Sequence, residues 1–116
     1  MVLSAHSTHL LAAREYAEAL SLLIQAAAVR LHQPLRDVLL QHIFTLDQAL
    51  GVGAPPHVNG VDRTALTLAL QALRGLDAPL QRLGCTQALV HERQLLLLQL
   101  HTTLTDEVER LLHTMP

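Results

Sequence analysis

Thr86–Met115 reads TQALVHERQLLLLQLHTTLTDEVERLLHTM and contains neither Pro nor Gly. Its apolar residues recur at Val90, Leu97, Leu100, Leu104, Val108, Leu111 and Met115, in steps of three, four or seven. That spacing puts them on one face of a helix. Thr86 can cap its start, and Gly84 can end the helix before it. About 30 residues at about 1.5 Å each make a rod near 45 Å, long enough to organise the rest of the chain.

The remainder reads as three more helices. The first spans about 7–31, with Ser4 or Ser7 as cap and Ala13, Tyr16, Ala17, Leu20, Ile24, Ala27 and Leu31 as its core stripe. Its opposite side carries Leu11, Glu15, Glu18, Leu22, Gln25 and Val29, again at helical spacing, so apolar residues occur on two faces. Such a helix is either central in its bundle or shared with a partner, and in a domain this small a shared face is the expectation. The second helix spans about 34–50, from Pro34 in the first turn to a stop at Gly51, with Leu35, Leu39, His42, Ile43, Leu46 and Leu50 inward. The third spans about 62–83, with Asp62 as cap and Leu66, Ala69, Leu70, Leu73, Leu76, Leu80 and Leu83 inward. Pro79 clashes with the carbonyl of Gly75 in a straight helix, so a kink or break falls at Gly75–Pro79, with Asp77 available to cap the extra turn. With the last helix at 86–114 and a long connection at 51–61, the expectation is an all-α, up-down-up-down four-helix bundle made of two helical hairpins in a single domain.

Composition agrees. Of 116 residues half are hydrophobic, nearly all Leu, Ala and Val, with one Phe, one Tyr and no Trp. Such a chain favours helix over strand and is long enough for its own core. All eight basic residues are Arg and lie scattered along the chain, and the net charge is −2. No basic run and no interleaved aromatics suit a nucleic-acid partner. The start lacks the pattern of a signal peptide, and no stretch reaches the roughly 18 apolar residues of a membrane span, so a cytoplasmic protein without a membrane partner is expected. The single cysteine, Cys85, excludes an internal disulfide and reads as an incidental turn residue or an exposed thiol able to cross-link two chains.

The Gly51–Gly60 segment GVGAPPHVNG holds a Gly-x-Gly, but no strand precedes it and no Lys follows, so it reads as a connection and not as a phosphate cradle. Cys85 and the serines lack an adjacent base or elbow motif, which gives nucleophilic catalysis no support. Asp106-Glu107-Val108-Glu109-Arg110 reads as a solvated face with Asp106 and Arg110 paired one turn apart. Glu15 and Glu18 read likewise as a solvated face or an interface rim.

Eight histidines are the compositional anomaly. His6, His9, His57 and His113 fall toward one end of the expected bundle and form one candidate metal site, although histidines at helix ends are usually solvated. His42 and His101 fall on or beside core stripes, with Tyr16 and Asp47 at similar levels. That set reads either as a core site for Zn, Ni, Cu or Fe or a small polar ligand, or as a hydrogen-bonded network that fixes helix register. Register-fixing is favoured, because the two histidines are separated by roughly 10 Å along the axis. The Glu-x-x-His motif of di-iron bundles is absent.

Two functions remain. The first is a non-enzymatic module for protein–protein contact without cofactor, a small adaptor or a chaperone for a helical client, acting as a homodimer. Its interface would use Leu11, Leu22, Val29, Leu95 and Leu98, since four consecutive leucines at Leu95–Leu98 cannot all face one core. The alternative is the histidine-containing metal or ligand bundle.

Overall fold

The computed structural model describes residues 5–53 and 61–114, with residues 5–7 described by backbone alone. All regular structure among them is helical: α1 (Ala5–Ala28), α2 (Leu35–Leu50), α3 (Arg63–Gly75), α4 (Asp77–Gly84) and α5 (His91–Thr114). α3 and α4 are two segments of one rod bent at residue 76, so the chain makes four rods. α1 packs on α2 and α5, and α3 packs on α2 and α5, which closes the rods into the expected bundle. α4 leans against α2. The body measures 46 × 24 × 23 Å.

The core is aliphatic. Leu20, Ile24, Leu39, Leu46, Leu66, Leu73, Leu80, Leu97 and Leu104 are among its fully buried side chains. Each contributes about 1.5–3 kcal/mol by leaving water. Tyr16 only edges this cluster, and the lone phenylalanine, Phe44, is 63% exposed. The core stripes anticipated on the first three helices are buried, apart from half-buried Tyr16 and His42.

Local chemistry explains the boundaries. Gly51 ends α2 in the left-handed conformation, φ 69°, with its N–H bonded to α2 carbonyls. Asp62 caps α3 by accepting from the Ala65 N–H at 2.9 Å. At the bend, Pro79 has no N–H for the Gly75 carbonyl. The helix tightens there: the Leu76 N–H reaches both Ala72 (3.0 Å) and Leu73 (3.2 Å) carbonyls, and Leu80 N–H to Leu76 O at 2.9 Å restarts the ladder. Asp77 is the first residue of α4 and makes no side-chain cap.

Two expected boundaries are corrected. The first helix ends at Ala28, and Val29 and Arg30 form a turn, although Leu31 still reaches the core at 7% exposure. The last helix begins at His91, not Thr86. Thr86 is taken by the preceding element: its hydroxyl donates to the Leu83 carbonyl at 2.7 Å and accepts from the Ala88 N–H at 3.3 Å, which holds 85–90 as a turn over buried Ala88. Val90 therefore precedes the helix and is 63% exposed, while Leu97, Leu104, Val108 and Leu111 of the same stripe are buried. Met115, the Ser4 cap, the side chain of Ser7 and most of the Gly51–Gly60 connection lie outside the described residues.

Candidate functional site

The core set disperses. His101 on α5 turns to α3, where its Nε2 lies 2.7 Å from the Leu73 carbonyl. A carbonyl only accepts, so Nε2 carries the proton, and the ring ties α5 to the turn just before the bend. His42 on α2 packs against the bend itself. A Cβ added at Gly75 would stand 2.7 Å from His42 Cε1, so the ring occupies the space a side chain would need. The two histidines thus touch α3 at residues only two apart, each spent on the broken helix.

Asp47 faces elsewhere, toward α1. Burial pushes its carboxyl above the ordinary carboxylate pKa. A hydrogen bond from the Ser21 hydroxyl offsets part of that, and the charge of Glu18 adds to it. Its Oδ1 is buried without a hydrogen-bond partner, and Ser21 Oγ also accepts from Gln25 Nε2 at 2.9 Å. Tyr16 lies half-buried against the core.

Of the end set, the side chains of His9 and His113 are among the described residues. His9 Nδ1 is bonded to Glu107 across α1 and α5. His113 is exposed, on a groove shared with Arg63, Arg74 and Glu109. The His6 side chain and all of His57 lie outside the described residues. Among the described residues no three His, Cys, Asp or Glu side chains are placed to share a metal ion.

The acidic run on α5 is only partly a solvated face. Glu107 is buried to 8% exposure, and Arg110 pairs with it at 3.7 Å while Asp106 stays exposed. The anticipated Asp106–Arg110 pair is replaced because i,i+3 from Glu107 reaches the same guanidinium from the core side. Glu109 pairs instead with Arg74 of α3 at 3.6 Å. Arg14 is a further polar residue inside the bundle, 8% exposed. Its Nε donates to the Leu50 carbonyl at 2.7 Å, and its Nη2 lies 3.1 Å from where a Cβ on Gly51 would be. α2 has no basic residue in its last turn, and Arg14 supplies that cation from α1. A signal for these residues exists: Leu10, Arg14, Ala17, Ser21, Ile24 and Ala28 alternate by four and three, as do Leu97, His101, Leu104, Val108 and Leu111, with Glu107 one turn from Leu104 and Leu111.

The apolar set is where the structure leaves side chains in water. Leu22 is 61%, Val29 86%, Leu95 53% and Leu98 38% exposed, joined by Leu96 at 45%, while Leu11 is partly buried. α1 and α5 run antiparallel, with His9 beside Glu107 and Ala26 beside Val90 around one cavity. Counting from those two points puts Leu22 level with Gln94 and Leu95. Exposed Leu22 therefore lies near the level of exposed Leu95 and Leu96, whereas by the same count Leu98 is level with Glu18 and Val29 with Gln87, before α5 begins. Cys85 is free and exposed in the turn before α5.

Compared with known proteins, the chain matches no family model, no curated protein and no solved structure. No described helix is long and apolar enough to cross a membrane.

Proposed function

We propose that this chain is a non-enzymatic module for protein–protein contact that works as a homodimer through the outer face of α1 and the neighbouring leucines of α5. The observation that supports this is Leu22. It stands 61% exposed on the side of α1 opposite the core, level with the exposed Leu95 and Leu96. Single exposed leucines are ordinary, but several at one level of two adjacent helices form the kind of patch that a partner covers. A two-fold pairing of α1 with its own copy brings Leu22 against itself and covers both patches at once. The small residues Ala19 and Ala26 beside Leu22 let two helices approach closely. A helical client docking on the same face is the adaptor form of this reading.

The test is the mass of the protein in solution by light scattering, under reducing conditions so that a Cys85 cross-link is not counted as the dimer. The wild type should be a dimer. Leu22→Glu should be a monomer with unchanged helical circular dichroism, because two carboxylates would be buried face to face. A monomeric wild type, or a variant that keeps the dimer mass, ends the homodimer reading.

A further inference from the structure

The fold gathers arginines that lie far apart in the sequence. Arg30 follows α1, Arg82 is in the last turn of α4, and Arg93 is in the first turn of α5. Two cavities meet at this end of the bundle and share Arg30 and Ala88 in their walls. The larger, about 440 Å³, is lined by Arg30 and Arg82 together with Leu31, His32, Pro34 and Leu35. The smaller, about 310 Å³, runs from Arg30 to Arg93 past Ala26 and Val90. No carboxylate lines either one. Among the described residues, the side chains of Arg30, Arg82 and Arg93 take part in no ion pair or hydrogen bond, whereas those of Arg36, Arg74 and Arg110 are each paired with an acid.

The three features together specify a ligand. Guanidinium groups without internal acids leave a positive potential that an anion can neutralise, and two of them around one space can hold a carboxylate or a phosphate in forked geometry. Leu31 and Leu35 are nearly buried and form an apolar floor, which a free inorganic ion would leave unused. A neutral apolar molecule would leave the charges unused. We propose that the cleft bounded by Arg30 and Arg82 is a binding site for a small organic anion with an apolar body, its carboxylate or phosphate group held between the two arginines and its hydrocarbon part on Leu31, Pro34 and Leu35. The size suits a chain of medium length, since small-molecule sites commonly enclose about 300–1,000 Å³. The site is distinct from the proposed dimer face: none of the residues lining the cleft is one of those assigned to that face.

The experiment is a titration of the ¹⁵N-labelled protein followed by amide chemical shifts at low ionic strength. The probes are octanoate, octyl phosphate, 1-octanol and inorganic phosphate. Octanoate or octyl phosphate, or both, should move the Leu31, Leu35 and Ala88 amides saturably, and the comparison between them says which head group is preferred. Octanol and inorganic phosphate should bind at least about tenfold more weakly, the loss expected when one good interaction is missing. Arg30→Gln combined with Arg82→Gln should weaken the octyl anion by about tenfold or more while the fold is kept, as judged by circular dichroism, and Arg63→Gln should leave its affinity unchanged. Absence of saturable shifts with both octyl anions overturns the proposal. So does octanol or inorganic phosphate binding as tightly as the octyl anions, or an unchanged affinity in the double variant.

Discussion

The two ends of the α1–α5 pair treat their charges in opposite ways. At the end where α1 starts, charges are paired and two of them lie inside: His9 meets Glu107, Arg110 meets Glu107, Arg74 meets Glu109, and Arg14 covers the end of α2. Glu107 and Arg14 are each only 8% exposed there. At the end where α1 finishes, Arg30, Arg82 and Arg93 stand in solvent without an acid beside them in the cavities they line. Leaving a buried charge without a partner is costly, so the first end reports on stability. An exposed guanidinium is under no such demand. Where several exposed guanidiniums surround an apolar cleft, their placement is free to serve something outside the chain.

Substitutions should separate the ends by the size of their effects. The largest belongs to the satisfied end. Glu107→Ala removes the acid shared by His9 and Arg110, and should cost about 2 kcal/mol, or a fall of roughly 6–10 °C in Tm in thermal unfolding. A loss below about 0.5 kcal/mol would mean that this end is no more dependent on its charges than an ordinary surface.

Asp47 gives an intermediate, pH-dependent effect. Its carboxyl pKa is raised in the fold, chiefly by burial, so the protonated form is the one folding favours. That contribution is complete below the unfolded carboxylate pKa of about 4 and is lost as pH rises through the higher folded value. Asn cannot ionise. The Tm of Asp47→Asn should therefore gain on the wild type as pH goes from about 4 to neutrality. A difference that does not change with pH would show that burial of this charge has no net cost. The group is half-open to water, so the gain is modest.

The smallest effect belongs to the open end. Arg82→Gln should shift stability by no more than about 0.5 kcal/mol in the same unfolding measurement. A loss as large as that of Glu107→Ala would erase the contrast and make Arg82 a structural residue.

Much of the bundle was legible from the chain. The stripes Leu66–Leu83 and Leu97–Leu111 landed in the core because the 3.6-residue period must match the one face each rod can bury. The bend near Gly75–Pro79 was legible for the same kind of local reason, a missing N–H and a ring clash. The start of α5 was not. Thr86 is a good helix cap by type, and only the position of the Leu83 carbonyl and of buried Ala88 turned it to another use. Of the interface candidates, Leu22, Leu95 and Leu98 emerged exposed because they sit off the core stripe of their helices, Val29 because it lies in the turn after α1, and Leu11 is partly covered. The sequence left the histidines open between a site and a register-fixing role, with the latter favoured. His42 and His101 share a neighbour, not a site, because they meet α3 at Gly75 and Leu73 and Asp47 turns to α1.

By itself the sequence determined the number of rods, their order, their inward faces and the break in the third, all of which follow from interactions within about one turn of helix. Tertiary structure decided which charges became partners across helices and which were left over. His9 and Glu107 are 98 residues apart, and Arg30, Arg82 and Arg93 come from three separate segments. Beyond about one turn of helix, a charge carries no preference for a partner along the chain. Its pairing depends on distance and exposure to water, and both are set only when the helices pack.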